Sequence, residues 1–209
     1  MRTITAIDEG RGEGRGKVFL DGAFAFSLST EVIEEHGLCL GQTLSDSAIE
    51  ELDQADLLQR CLNAALNLLS YRPRSEAEIR ARLKRRFDTR TIDKVLLRLK
   101  ATRMIDDLSF AYFWKENRES FSPRSERMLN LELRRKGIAS EIIDQALQGI
   151  DEDKDAYCAA EKKARSLSRE DYEAFRRKLG TFLQRRGFSY EVAKHAIERA
   201  WRAQDRALP

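Results

Sequence analysis

The chain has 209 residues, of which 42% are hydrophobic and 35% are charged, a composition typical of a globular protein that buries a core. Its longest uncharged run, residues 61–71, is far shorter than the roughly 20 apolar residues of a membrane-spanning helix. Asp8 precedes any apolar stretch, so we expect no secretion signal, and three widely spaced cysteines favour reduced thiols. We therefore expect a cytoplasmic monomer without a membrane partner.

Two regions of opposite charge lie behind the net charge of +3. Residues 1–58 carry four basic and twelve acidic side chains, whereas residues 59–209 carry 34 basic and 23 acidic ones. A basic segment of this length is able to face nucleic acid or an acidic protein surface. A solvated helical surface of mixed sign is the alternative, and charge alone leaves both open.

The predicted strands all lie near the N-terminus. β-Branched residues at 3–7 predict one strand. Apolar runs on either side of Asp-Gly at residues 21–22 predict a β-hairpin, because Asp-Gly favours the positive φ angles of a two-residue turn. Phe24, Phe26 and Leu28 are expected on one face of the second hairpin strand. The N-terminal region is therefore predicted to be a small, acidic, β-rich cap.

A glycine-rich run at residues 10–17 lies between the first two predicted strands. It lacks the glycine spacing of a phosphate-binding loop, and Val18 stands where a Mg²⁺-binding Ser or Thr is needed. We therefore interpret the run as a flexible connection between strands.

Helical patterns begin after the predicted hairpin. Residues 30–35 predict a short helix ended by Gly37. Ser47 and Glu50 form a possible capping box at the start of a long helical segment, and helical spacing then continues to the end of the chain. Four glycines are expected to separate helices: Gly137, Gly149, Gly180 and Gly187.

A fifty-residue internal repeat is the most informative feature of the sequence. The motif Pro-Arg-Ser-Glu at residues 73–76 returns at residues 123–126, and apolar positions follow the same offset. The corresponding residues are Ile79, Leu83 and Ile92 in the first unit, Leu129, Leu133 and Ile142 in the second, and Leu179, Leu183 and Val192 in the third. The third unit lacks the Pro-Arg-Ser-Glu motif.

Each unit is predicted to contain three helices. In the first unit, Pro73 ends the first helix and a Ser75/Glu78 capping box begins the second. One unit has too little apolar surface to fold robustly, so the units are expected to stack. The predicted fold is mostly α-helical, with three tandem three-helix repeats in an elongated, curved array and a small N-terminal cap that contains a β-hairpin. The predicted divisions are a cap of residues 1–57 and repeats of residues 58–105, 106–151 and 152–209.

Basic residues cluster at the end of each predicted second helix. They are Lys84, Arg85 and Arg86, then Arg134, Arg135 and Lys136, then Arg185 and Arg186. One interpretation is an interaction with the helix macrodipole, worth about 0.3–1 kcal/mol, beside the helix-ending residues Gly137 and Gly187. Phe87 stands where the first unit would need such a glycine. The alternative is a row of cations that binds phosphates or acidic side chains, and the pattern alone leaves both open.

Several strings of residues resemble the RecX family of regulatory proteins. They are Ser75-Glu76-Ala77-Glu78-Ile79-Arg80-Ala81-Arg82-Leu83, Met104-Ile105-Asp106-Asp107 with Phe110-Ala111, Leu131-Glu132-Leu133-Arg134-Arg135-Lys136-Gly137-Ile138, and Ile142-Ile143-Asp144-Gln145-Ala146-Leu147. Their order and threefold organisation, over about residues 58–202, make the resemblance specific. The acidic cap lies outside the resemblance, and the third unit diverges, with a longer loop at residues 168–171.

The resemblance implies a protein that binds the RecA recombinase in the groove of the RecA–DNA filament. It also implies that the protein limits filament growth, ATP hydrolysis, strand exchange and co-protease activity. The candidate partner-binding residues are Arg72, Arg74, Lys84, Arg85, Arg86, Arg124, Arg134, Arg135, Lys136, Arg185 and Arg186. Arg74 and Arg124 have a second interpretation, as residues that brace the adjacent helix. The alternative function is sequence-independent binding of single- or double-stranded DNA by units similar to helix-turn-helix modules.

The sequence offers no arrangement typical of an enzyme. His36 and His195 lie outside any metal-binding or nucleophile motif. Asp106 and Asp107 are adjacent and do not face one another on a helix, so one of them is predicted to be an N-cap. The aromatic residues within 110–114 are predicted to lie mostly in the core, and a ring left exposed would be an interface anchor. We therefore predict a non-catalytic protein without a cofactor or metal.

Overall fold

The computed structural model describes residues 1–9, 14–167 and 171–205. The strands are β1 (Arg2–Glu9), β2 (Arg15–Leu20), β3 (Ala23–Ser29) and β4 (Thr43–Leu44). The helices are α1 (Thr30–Glu35), α2 (Asp46–Tyr71), α3 (Glu76–Leu83), α4 (Thr89–Ala101), α5 (Asp107–Phe121), α6 (Glu126–Arg135), α7 (Ser140–Leu147), α8 (Glu152–Ala164), α9 (Tyr172–Arg185) and α10 (Tyr190–Asp205), with a 3₁₀ turn at Arg165–Leu167. Residues 10–13 of the predicted connection and residues 168–170 of the predicted longer loop lie outside the described residues. The predicted mostly helical fold, with three tandem three-helix units after an N-terminal sheet, is confirmed.

The chain divides into two compact units. The first contains Met1–Arg74 and Ile79–Ile105, and the second contains Ser75–Glu78 and the chain from Asp106 onward. The helices form the triplets α2–α4, α5–α7 and α8–α10. Because α2 runs through the predicted boundary between residues 57 and 58, the exact limits of the cap and of the repeats stay a prediction.

The N-terminal sheet is antiparallel, with the strand order β3-β2-β1-β4. The predicted hairpin turn is present at Asp21 and Gly22, whose φ angles of 50° and 85° are those of a left-handed two-residue turn. The predicted helix α1 follows β3, and Gly37, at φ 57°, comes after its end. β4 has two residues, too few to carry a periodic signal in the sequence.

The predicted common face of β3 is wrong for one residue. Leu28 is buried and Phe26 packs against the core of the first unit, but Phe24 is 59% exposed. The register of the β2–β3 pair shifts between Val18 and Phe19, where β3 holds an extra residue. A bulge of this kind turns the residues beyond it towards the other face. The Phe24 ring therefore lies against Phe19, edge to face, with 5.9 Å between the ring centres.

A buried carboxylate links this sheet to α2. Asp56 of α2 is 3% exposed and accepts hydrogen bonds from the backbone N–H and the hydroxyl of Ser29, at 2.6 and 2.7 Å. Arg15 of β2 donates to both Asp56 oxygens, at 3.2 and 3.1 Å. Burial alone would raise the pKa of Asp56, but the hydrogen bonds from Ser29 and Arg15 outweigh it and hold the pKa below its usual value.

The start of α2 differs from the predicted capping box. Ser45 Oγ accepts a hydrogen bond from Ala48 N at 3.1 Å, so the N-cap is Ser45 and the prediction of Ser47 is wrong. Ser47 lies in the first turn, with its Oγ 2.9 Å from that of Ser45. The two serines have the same side chain, and Ser45 is the N-cap because its backbone is extended. At α3 the serine half of the predicted capping box is present, since Ser75 Oγ accepts from Glu78 N at 3.1 Å.

The second helices keep the fifty-residue offset, whereas the third helices depart from it. The buried residues that recur at this offset in the second helices are Ile79 and Leu83, Leu129 and Leu133, and Leu179 and Leu183. In the third helices, the buried counterparts of Ile92 are Ile143 and Ala193. The predicted counterparts Ile142 and Val192 are half-buried and wrong by one residue. The cause is the segment from the buried Leu83 to the N-cap Asp88, which lacks a helix-ending glycine and is one residue shorter than the segment from Leu133 to the N-cap Ala139.

Each triplet of helices has its own apolar core, and the sheet has a further core with α1 and the first part of α2. The core of the third triplet is rich in alanine, which lets α8 and α10 pack closely. Within the described residues, no helix combines the length and the apolar character needed to cross a membrane.

Candidate partner-binding surface

Exposed cations stand at the end of every second helix. They are Lys84, Arg85 and Arg86 after α3, Arg134 and Arg135 at the end of α6, and Arg185 at the end of α9. We call these six residues the exposed basic turns. Each lies where the carbonyl groups of a helix C-terminus carry partial negative charge, which favours a cation. The location alone therefore fits both the helix-end and the partner-binding interpretation.

α6 and α9 end at the predicted left-handed glycines. Gly137 and Gly187 have φ angles of 78° and 91°. After α6, Ile138 N donates to Leu133 O at 3.1 Å, and the equivalent bond closes α9 at 3.3 Å. This pattern is a Schellman C-cap, in which the glycine adopts a backbone that a side chain disfavours. Gly180, in contrast, lies inside α9, so the prediction that it separates helices is wrong.

Lys136 is the first residue after α6, and its side chain is directed back into the second unit. Its Nζ lies 2.6 Å from Glu78 Oε1 and 4.6 Å from the ring centre of Trp114. Its backbone carbonyl accepts a hydrogen bond at 2.6 Å from Ser75 Oγ, the atom that caps α3. Lys136 is half-buried, and its ammonium group is used by intramolecular contacts. These contacts favour the structural interpretation for this residue.

Arg186 holds the same position after α9 and contacts the segment before α6. Its carbonyl accepts a hydrogen bond from Ser125 N at 3.1 Å. Its Nη1 donates to Pro123 O at 2.9 Å and to Ser122 Oγ at 3.2 Å, and its guanidinium lies 4.4 Å from the centre of the Phe182 ring. Burial, and then the charges of two nearby arginines, lower the pKa of Arg186. The guanidinium nevertheless stays protonated.

These contacts form two equivalent junctions in the second unit, which we call the second-helix junctions. In each, the turn after one second helix lies against the start of the preceding second helix. A side chain at Gly137 would overlap Ala77, and one at Gly187 would overlap Met128. Ser75 and its counterpart Ser125 are at most 1% exposed. The repeated serine therefore caps its own helix and meets the next repeat, a role that the sequence signalled only through the constant spacing between serine and glycine.

Three other candidate arginines also make local contacts. Arg74 Nε donates to Leu68 O at 2.8 Å, and Arg124 Nη1 lies 2.6 Å from Glu132 Oε1. Arg72 Nη1 donates to the carbonyl of the next residue at 2.8 Å. The contacts of Arg74 and Arg124 are those expected of residues that brace the adjacent helices. Among the candidate partner-binding residues, the exposed ones are those of the exposed basic turns.

The adjacent carboxylates at the start of α5 cap two different helices. Asp106 Oδ1 accepts from Ser109 N at 2.9 Å, which confirms the predicted N-cap. Asp107 Oδ1 accepts from Glu76 N, also at 2.9 Å, and so satisfies a backbone donor at the start of α3. In the part of the chain that the structure describes, no group of three His, Cys, Asp or Glu side chains is placed to hold a metal ion.

The cysteine in the core of the first triplet is a small apolar residue. Cys61 is fully buried, and burial, with the nearby charge of Asp88, raises the pKa of its thiol to about 11. A thiol with so high a pKa is unreactive near neutral pH.

Three tandem three-helix units, a small antiparallel sheet and cations at the end of each second helix define a helical repeat protein with a basic surface. Family models for the first, second and third three-helix domains of RecX match residues 61–99, 106–147 and 151–197. The chain belongs to the RecX family.

Relatives and solved structures agree with this assignment. The regulatory protein RecX of Listeria welshimeri is 32% identical over 198 residues, which cover 92% of this chain and 74% of the relative. That of Leuconostoc mesenteroides is 28% identical over 203 residues, covering 95% and 76%. A crystal structure of regulatory protein RecX has a TM-score of 0.69 at 26% identity, over 93% of this chain and 98% of that one. A RecX structure from Lactobacillus salivarius has a TM-score of 0.58 at 27% identity, over 70% and 97%. These relatives are named as regulatory proteins and not as enzymes.

Proposed function

We propose that the protein is a negative regulator of RecA, which binds the groove of the RecA–DNA filament and limits filament growth, ATP hydrolysis, strand exchange and co-protease activity. The observation that carries the proposal is the recurrence of the exposed basic turns at the same place in three successive repeats. Modest contacts at successive repeats add through effective concentration when the partner is itself a repeating polymer.

The contacts of Lys136 and Arg186 reduce the number of cations that are left to meet the filament. Lys136 and Arg186 hold the second-helix junctions together, so their main role is in folding. The charges left for a partner are Lys84, Arg85, Arg86, Arg134, Arg135 and Arg185. We infer that these six contribute electrostatic complementarity to acidic side chains of RecA, which raises the rate of association and orients the complex.

The direct test is the DNA-dependent ATPase activity of RecA, measured with increasing amounts of the purified protein. We expect inhibition at well below one molecule of the protein per RecA protomer, because one bound molecule blocks growth of the filament beyond it. No inhibition at equimolar amounts would contradict the proposal.

Charge reversal tests the surface itself. Arg134→Glu with Arg135→Glu should raise the half-inhibitory concentration at least tenfold, while circular dichroism shows that the variant is still folded at the assay temperature. The matched control is Arg90→Glu with Lys94→Glu, an equal change at two exposed positions on α4. An equal loss of inhibition in both variants would assign the effect to net charge and not to the exposed basic turns.

Sequence-independent DNA binding is the second candidate, favoured by the same exposed cations on three-helix units. It predicts binding to naked DNA that weakens steeply with salt, in proportion to the phosphates contacted. Filament recognition predicts instead an affinity that requires RecA. Tight binding to naked DNA together with an uninhibited RecA ATPase would favour the second candidate.

A further inference from the structure

Two aromatic rings stand exposed at the same position of two successive repeats. Tyr71 is the last residue of α2 and Phe121 is the last residue of α5, fifty residues later. Each is 77% exposed. The chain after each ring takes the same course, one bend and three residues without regular secondary structure before the next helix. Among the described residues of the third triplet, no ring stands at the end of the first helix, since α8 ends at Ala164.

The repetition is the informative part of this observation. A single exposed apolar side chain is ordinary on a protein surface. Three other aromatic residues of α5 pack in or against the core, Phe110, Phe113 and Trp114, so the helix has an apolar face on which a ring can be covered. Phe121 lies outside that face of α5. Tyr71 lies at the equivalent position of α2 and is exposed to the same extent. A large ring with few rotatable bonds is the kind of side chain that anchors a protein interface.

Cations bind the residues that precede and follow Phe121 in the sequence. Lys162 Nζ donates to the carbonyl of Ser120 at 2.6 Å, and Arg186 Nη1 donates to the hydroxyl of Ser122 at 3.2 Å. The residues immediately before and after the ring are thus each bound by a cation from the third repeat. These two contacts fix the end of α5 and place positive charge beside an apolar anchor.

Basic residues also lie near Tyr71, within the first unit. Arg74 Nε donates to Leu68 O, three residues before the ring, and Arg72 follows the ring directly. Both arginines are half-buried, so each guanidinium is held close to the end of α2. The first and second repeats therefore each present a ring next to positive charge.

We propose that Tyr71 and Phe121 are anchors of the protein–protein interface, each inserting into an apolar pocket bordered by carboxylates on a protomer of the RecA filament. This inference rests on the proposed function and adds the residues that supply its affinity. A protein partner fits better than a nucleic acid, because Lys162, Arg74 and Arg186 donate to oxygen atoms of their own chain. Lys162 and Arg186 keep positive charge at the end of α5, whereas a row of phosphate ligands needs donors directed outwards.

The test compares ring removal with matched controls. Tyr71→Ala and Phe121→Ala should each raise the half-inhibitory concentration for the RecA ATPase about tenfold, and the double variant should raise it further. Tyr71→Phe and Phe121→Tyr, which keep the ring, should stay within about threefold of the wild type. The controls are Phe24→Ala and Leu97→Ala, which remove exposed apolar side chains elsewhere, at 59% and 71% exposure, and should change inhibition less than twofold.

Co-sedimentation with RecA filaments on single-stranded DNA, held with a non-hydrolysable ATP analogue, gives a second readout. Loss of co-sedimentation in the ring variants alone would support the inference. Inhibition and binding that are intact in both ring variants would overturn it and leave the proposed function standing. A wild-type protein that binds filaments without inhibiting them would overturn the proposed function, and the ring variants would still decide the inference through binding. A wild-type protein that neither binds nor inhibits the filament would overturn both the proposed function and the inference. Loss of binding to naked DNA in the ring variants would identify a nucleic acid as the partner of the rings and overturn the inference.

Discussion

The first and second units join their parts by different physical means. In the first unit, the sheet is linked to α2 by a buried carboxylate that accepts hydrogen bonds from two residues of the sheet. In the second unit, successive second helices meet where a glycine leaves no room for a side chain. The first contact depends on charge and proton binding, whereas the second depends on volume and backbone conformation. The two units should therefore respond to different perturbations.

The largest expected effect is at the second-helix junction. Gly187→Ala places a side chain on a residue at φ 91°, where it would overlap Met128. Backbone strain and overpacking add, so we expect the free energy of unfolding to fall by about 3 kcal/mol. Both tryptophans, Trp114 and Trp201, lie in the second unit, so urea unfolding followed by tryptophan fluorescence reports on that unit.

Gly149→Ala separates the two causes. Gly149 has a similar φ angle of 76°, but a side chain there would have nothing within 4 Å. This variant should lose only the backbone part, about 1 kcal/mol. If the two variants are equally destabilised, the close approach at Gly187 contributes nothing.

The first unit should be most sensitive at Asp56. Asp56→Asn removes a buried charge that Arg15 and Ser29 satisfy, so the local free energy of opening should fall by about 2 kcal/mol at pH 7. Hydrogen exchange of the amides in β2 and β3, measured by mass spectrometry, reads this opening directly. Asp53→Asn, at an exposed position of the same helix, is the control and should leave the exchange unchanged.

The pH dependence of the same carboxylate follows from its lowered pKa. Because the folded unit holds fewer protons at Asp56 than the unfolded chain does, this stabilisation is present above the unfolded pKa of about 4 and is lost as the pH falls through the folded value. Protection of the sheet should therefore decline below about pH 4 in the wild type. In Asp56→Asn that part of the decline should be absent.

Local signals explain what the sequence predicts well. The Asp-Gly turn and the helix Thr30–Glu35 depend on neighbouring residues, and both are present as predicted. The tandem triplets follow from apolar periodicity repeated along the chain, which any single substitution leaves intact. The exposed basic turns follow from the same repeat, because each lies at a fixed distance after a buried leucine.

Tertiary contacts explain what the sequence does not predict. Lys136 and Arg135 are chemically similar neighbours, and only the tertiary contact of Lys136 with Glu78 shows that Lys136 points inwards. The one-residue slip at Ile143 is similarly hidden, because Ile142 is an equally apolar neighbour. The exposure of Phe121 also escapes prediction, since an aromatic residue at the end of an amphipathic helix is usually in the core.

A carboxylate with the opposite pH response sharpens the comparison of the two units. Asp155, near the start of α8, is 7% exposed, and burial, followed by the charge of Glu119, raises its pKa to about 6. Asp151 adds to the increase, while Lys154 and Lys115 oppose it. The folded unit therefore binds a proton more tightly than the unfolded chain does. This group destabilises the second unit above about pH 6, and the penalty is relieved as the pH falls towards 4.

Asp155→Asn should therefore stabilise the second unit by about 1–2 kcal/mol at pH 8 and by less at pH 5. The measurement is again urea unfolding followed by tryptophan fluorescence, at both pH values. Asp153→Asn, exposed in the same helical turn, should show no such gain. A gain of equal size at both pH values would show that the ionisation of Asp155 is not its cause.

The smallest effect distinguishes the two kinds of cation at the end of α6. Lys136→Ala loses the contact with Glu78 and the position over the Trp114 ring, so we expect a loss of about 1 kcal/mol, since both partners are only partly screened by solvent. Arg135→Ala, which removes an exposed cation one residue earlier, should change the unfolding free energy by less than about 0.5 kcal/mol. The order should reverse for inhibition of RecA, where Arg135→Ala should have the larger effect. If the two variants are alike in both measurements, Lys136 and Arg135 do not have separate roles in stability and in inhibition.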